Sequence, residues 1–217
     1  MKIKYTVLYS FLLASVALLA PPSVIADPPR PIGDSRVLTP IPALPGYPEG
    51  IAVHDGLVSV SGPAAFGVPG NFIPSKIFAY DTDTGALAKT ITVQGQTGPL
   101  NALSCIAFGD DDNLFVVDEG QGILKINVET GHQSVYAAPF SPVFHSAFNP
   151  PAPLLINDLA FDKNGYLYVT DSFQATIWRV PPGGGAPQVW FRMPPSTGHL
   201  VRTACASTRK ARSFTSR

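Results

Sequence analysis

Between Tyr47 and Phe191 the chain alternates short apolar runs with polar turns, and it does so three times in the same order. The first segment contains YPEGIAVHDGLVSVSG from Tyr47, the second LSCIAFGDDDNLFVVDEG from Leu103, the third LINDLAFDKNGYLYVTDS from Leu155. Ile51, Ile106 and Leu159 align, at spacings of 55 and 53 residues. Each segment predicts a strand, a turn rich in Asp, Asn or Gly, and a second strand ending at Ser61, Asp118 or Asp171. A third strand follows in each (KIFAY from Lys76, GILKI from Gly122, TIWRV from Thr176). Then come the tight turns DTDTG, NVETG and PPGGG and the fourth strands LAKTITV, QSVYAA and PQVWF.

Four short antiparallel strands repeated every ~40–55 residues predict an all-β fold of β-propeller type. A sandwich also has many short strands but does not repeat its landmarks three times. The blades span about 47–99, 100–150 and 151–192. If each first strand descends along the channel, the loops after the second and fourth strands lie on top. The longest insertions, around Gly62–Asn71 and Phe140–Pro153, fall there, whereas the turns holding His54 and His132 fall at the bottom. Functional loops gather where a channel opens, so the top is the expected site. Two positions before the aligned Ile51, Ile106 and Leu159 lie Glu49, Ser104 and Asn157. Oxygen-bearing side chains brought together from different blades suit a hard divalent cation. Capping of a turn is the structural alternative for Ser104 and Asn157. A carboxylate facing a channel lacks such a task.

Composition narrows the function classes. Fifteen basic and 15 acidic side chains leave no net charge, which excludes a nucleic-acid binder working through bulk charge. With 45 % apolar and 14 % charged residues the chain is not a disordered polymer, and 23 Pro and 19 Gly favour short strands over long helices. All the acids lie between Asp27 and Asp171, while Met193–Arg217 carries five basic residues and no acid. At the N-terminus, Lys2 and Lys4 precede an apolar run from Tyr5 to Ala20, and Val24 and Ala26 precede a cut before Asp27. Residues 1–26 are therefore expected to be a signal peptide, with a secreted or periplasmic product and no membrane span after cleavage. The two cysteines, Cys105 and Cys205, have no metal-type spacing, and a bridge between them is not expected.

The stretch from Glu49 to Phe191 resembles the gluconolactonase, regucalcin and senescence-marker family of six-bladed propellers. The resemblance rests on PEG at Pro48–Gly50, on INDLAFDKNGYLYVTD at Ile156–Asp171 and on the blade spacing. It implies one divalent metal ion (calcium, zinc or magnesium) at the top of the channel in a full-length form. Glu49 and Asn157 match metal ligands, Asp158 matches a substrate-contacting Asp, and Ser104 joins it as a substrate-side residue. The implied reaction is hydrolysis of a small sugar-derived lactone: a metal polarises the carbonyl and acidifies a bound water, and a carboxylate takes the proton. His145, on the top face, stands outside this all-oxygen set.

Six blades need ~270–300 residues, and only residues 27–192 read as propeller. Residues 193–217 show no strand alternation or turn landmark. A frame change at Leu200–Val201 is compatible with a fourth-blade string carrying the third blade's landmarks, its asparagine drawn from the codons of Arg202 and Thr203. The expectation is thus a lactonase-like propeller, truncated and inactive as it stands. The alternatives are a non-catalytic ligand- or protein-binding propeller of NHL type, and two three-bladed chains closing one ring.

Overall fold

The computed structural model describes residues 33, 35–42, 47–62, 74–97, 102–137, 140–141 and 154–192. The leader at 1–26, His145 and the tail at 193–217, Cys205 included, lie outside the described residues, as does most of both long insertions. Met1–Arg36 and Val37–Arg217 are separate units, and every described strand belongs to the second.

The fold is all-β, with three four-stranded antiparallel sheets of propeller-blade type. The first blade comprises β1 (Ile51–His54), β2 (Leu57–Gly62), β3 (Lys76–Asp81) and β4 (Leu87–Thr92). The second comprises β5 (Leu103–Phe108), β6 (Leu114–Asp118), β7 (Gly122–Ile126) and β8 (Gln133–Ala137). In the third lie β9 (Ile156–Phe161), β10 (Leu167–Asp171), β11 (Thr176–Val180) and β12 (Gln188–Arg192). Each blade is a meander in chain order. Inner strands of neighbouring blades touch, β1 against β5 and β5 against β9.

Local chemistry explains the turns. Asp55 and Gly56 both have positive φ (49° and 73°), the geometry of a two-residue hairpin turn matched to strand twist. The DTDTG and NVETG turns are one device used twice. Asp81 Oδ1 accepts from the backbone N and hydroxyl of Thr84, and Asn127 Oδ1 accepts likewise from Thr130. Gly85 and Gly131 then supply the left-handed residue that closes each turn.

Side-chain alternation puts an apolar set on both faces of the second blade. Leu114, Val116, Leu124 and Ile126 pack with Ile77, Ile91 and Val93 of the first blade. Phe115, Val117 and Ile123 pack with Leu159, Leu167, Val169, Trp178 and Val180 of the third. Each fully buried aliphatic chain contributes roughly 1.5–3 kcal/mol, so these two interfaces are the core.

The register corrects one alignment. Ile51 pairs with Val60, Ile106 with Val116, and Leu159 with Val169. Gly62, facing Lys76, therefore stands where Asp118 faces Gly122 and Asp171 faces Thr176. Ser61 corresponds to Val117 and Thr170 instead. The cause is the turn: two residues, Asp55 and Gly56, separate His54 from Leu57, whereas three separate Gly109 from Asn113 and Asp162 from Tyr166, which are still hydrogen-bonded backbone to backbone.

Candidate functional site

The innermost strands are irregular at one shared level. From the Leu103–Asp118 pair to the Ile106–Val116 pair, β5 advances three residues while β6 advances two. From Ile156–Asp171 to Leu159–Val169, β9 likewise gains a residue on β10. In the first blade Glu49 donates its N–H to Ser61 O while Ser61 donates its own to Gly50 O, so two residues again oppose one. These are β-bulges, which re-aim side chains and leave a backbone group without its ladder partner. They fall at Glu49–Gly50, Ser104–Cys105 and Asn157–Asp158. The freed N–H of Gly50 donates to Ser61 Oγ (2.9 Å), and that of Asp158 donates to Thr170 Oγ1 (3.1 Å). Ser61 and Thr170 occupy equivalent positions and are buried, so two hydroxyls serve the same backbone task in two blades.

The bulges border a cleft of about 630 Å³ lined by the three inner strands. Glu49, Asn157 and Asp158 all line it, with Cys105 among them and His54 and Phe108 on its wall. Asn157 donates Nδ2–H to Ser172 Oγ (3.1 Å), which orients the amide. Asp158 Oδ1 accepts from Leu159 N (2.9 Å) and from the Cys105 thiol (Sγ–Oδ1 2.6 Å). Ser104 is placed differently. It is buried, is not part of the cleft lining, and donates Oγ–H to Ile156 O (3.0 Å), while its carbonyl accepts from Ser61 Oγ (2.7 Å). Its side chain stitches the second blade to the third. His54 stacks on Phe108 (centroids 4.5 Å apart), and its Nε2 lies 3.1 Å from Asp112 Oδ1.

Two groups that periodicity did not single out shape the electrostatics. Burial, reinforced by the Asp158 carboxylate, pushes the Cys105 thiol up to about 12, so the sulfur is a protonated donor and not a nucleophile. Glu119, just past β6, is pushed up to about 8 by burial and then by Asp171, Asp118 and Glu49. Its carboxyl keeps its proton through neutral pH. A sequence signal for Glu119 existed in the consecutive Asp118–Glu119 pair, since adjacent carboxylates at a strand end repel on burial. Asp171 is also raised by burial. Its Oδ1 accepts from Leu155 N and Gln174 N, whereas Oδ2 and the buried Trp178 indole N–H have no well-formed hydrogen bond among the described residues.

The oxygens of Glu49 and Asn157 suit a hard divalent cation in kind, but two donors fall short of the six to eight that calcium takes. Among the described residues, no group of three or more His, Cys, Asp or Glu side chains could hold a metal ion. What the cleft offers outright is an acceptor-rich floor beside apolar wall, which suits a small hydroxylated ligand.

No protein-family model matches the sequence, and no curated protein matches it either. Among solved structures the chain is similar to a computationally designed protein (16% identity, 74% of this chain and 80% of that one, TM-score 0.44). It is also similar to a streptogramin B lyase (16%, 72% and 44%, TM-score 0.49). A gluconolactonase from Xanthomonas campestris is a third (16%, 68% and 47%, TM-score 0.46). The chain spans less than half the length of the lyase and of the gluconolactonase. Likenesses at this level carry no argument about activity.

Proposed function

We propose that the cleft is the ligand site of an exported, lactonase-like propeller, built for a small sugar-derived lactone held beside one divalent cation. The observation that carries this reading is the meeting of Glu49, Asn157 and Asp158, from two different blades, on one cleft of about 630 Å³. Glu49 and Asn157 would hold the cation, and Asp158 would accept from a ligand hydroxyl. A bound cation would supply Lewis-acid polarisation of the lactone carbonyl. The protein's own part is to present Glu49 at the cleft, to orient the Asn157 amide through Ser172, and to fix Asp158. Because the described blades supply only two of the cation's donors, these blades bind and do not turn over.

Equilibrium dialysis against calcium, magnesium and zinc tests this. Glu49→Gln removes a full charge from a hard cation's shell and should weaken binding by about 10-fold or more. Asn157→Ala should weaken it less, because water can replace a neutral dipole. Metal binding indifferent to Glu49→Gln would sink the assignment. A chain that takes up a ligand without any cation would favour a non-catalytic binding propeller. No lactone hydrolysis is expected from the chain as given at any metal concentration.

A further inference from the structure

The bulge column continues one residue past the expected ligands, at Gly50, Cys105 and Asp158, and the first two each meet the next inner strand. A Cβ on Gly50 would lie 2.6 Å from Ser104 O and 2.7 Å from Ile106 N, so at this point the first blade seats its backbone directly on β5. Cys105 carries a side chain there instead, and its sulfur reaches Asp158 Oδ1 in the third blade. That oxygen therefore receives two donors, the Cys105 thiol and the Leu159 backbone N–H. Two donors converging on one oxygen fix the plane of a carboxylate, where a single one leaves it free to rotate. Both partners line the cleft.

We infer that Cys105 is a positioning residue: its S–H donates to Asp158 across the second and third blades and holds that carboxylate in the orientation that receives a ligand hydroxyl. A thiol suits the task. It is a donor small enough for the space between two inner strands. It adds no charge to a cleft that already carries Glu49 and Asp158. Its protonation is secured by burial, so the donor persists through neutral pH. The role in ligand binding rests on the cleft being the ligand site proposed above.

The test uses the full chain with Cys205→Ser, leaving Cys105 as the single thiol. Infrared spectroscopy of the S–H stretch needs no ligand. A band shifted to low frequency that moves back toward a free thiol in Asp158→Ala is the expected result. A band at the free-thiol position that ignores Asp158→Ala overturns the inference. Affinity for D-gluconolactam, a lactone analogue that resists hydrolysis, is then measured by calorimetry in the presence of calcium. Cys105→Ala should weaken it roughly 5- to 10-fold, whereas Cys105→Ser, which keeps a donor, should stay within about 2-fold. Equal losses in the two variants overturn the positioning role. A shifted S–H band in a protein that binds no lactam overturns the proposed ligand site and with it the role of the pair there, which separates that failure from a failure of the thiol contact itself.

Discussion

Ile51 in the first blade and Ile106 and Leu159 in the other two occupy the same position on the same strand, yet Ile51 is 66% exposed and the others 2% and 3%. Two residues on, Val53 is 65% exposed, while Phe108 and Phe161 pack against the shared cores. The side chains are equally apolar. What differs is the neighbour: Ile106 packs with the first blade and Leu159 with the second, whereas the first blade has no predecessor among the described strands. Further out on the same face Val60, Phe78 and Tyr80 are buried, while Ile51 and Val53 on the innermost strand line the cleft and Leu87 on the outermost strand is again exposed. Burial in this architecture belongs to the pair of blades, and a pattern that specifies a core position in one blade specifies a cleft wall in another.

Substitutions at matched positions put that contrast to the test. Ile106→Ala should cost about 2–5 kcal/mol and Ile51→Ala less than about 1 kcal/mol in urea unfolding. Equal costs would show that the first blade's inner strand is covered in solution. Gly50→Ala should destabilise by about 1–3 kcal/mol because the new methyl meets backbone on β5. Gly56→Ala meets nothing within 4 Å and should cost only about 1 kcal/mol, through its positive φ. The same urea series separates them.

The pH dependence sharpens the comparison of the second blade with its neighbours. Glu119 titrates near 8 when folded against an ordinary 4.5, so across that window the folded chain holds a proton that the unfolded chain has released. Its contribution to stability is full below about 4.5 and is lost as pH rises through about 8. Glu119→Gln should therefore narrow the gap between thermal melts at pH 5 and pH 8 by roughly 1–2 kcal/mol. An unchanged gap would place the charge coupling elsewhere. Ser104→Ala should cost about 0.5–1.5 kcal/mol for the lost bond to Ile156 O, read from the shift in urea midpoint.

The strand order and the repeat were legible because period-two apolar runs and Asp/Gly turns are local signals, and each described strand overlaps a run they mark, with β2, β3 and β12 ending one residue beyond theirs. The register of the first blade was not. Aligning Ser61 with Asp118 and Asp171 follows the polar strand ends, but the two-residue Asp55–Gly56 turn is one residue shorter than the turns of the other two blades, and the register puts Gly62 in that place. Glu49 and Asn157 were found through repeat symmetry, which marks a level along the channel, and Asp158 through the family resemblance. Symmetry does not say which way a side chain turns at a bulge, so the seam made by Ser104 and the thiol contact made by Cys105 needed coordinates. The buried hydroxyls at Ser61 and Thr170 were the available clue, since a strand interior hides a hydroxyl only when a backbone group needs it.

The bulges also bear on how such a scaffold could acquire new specificity. Glu49, Cys105, Asn157 and Asp158 line the cleft at the three points where the ladders skip, so exchanging their side chains alters the cleft while leaving the regular hydrogen-bonded pairs in place. Gly50 alone is barred, by the backbone of the next blade. A combinatorial library at those four positions would change what the channel recognises while the twelve strands that carry it keep their pairing, a separation of evolvable surface from fixed frame that a continuous ladder would not allow.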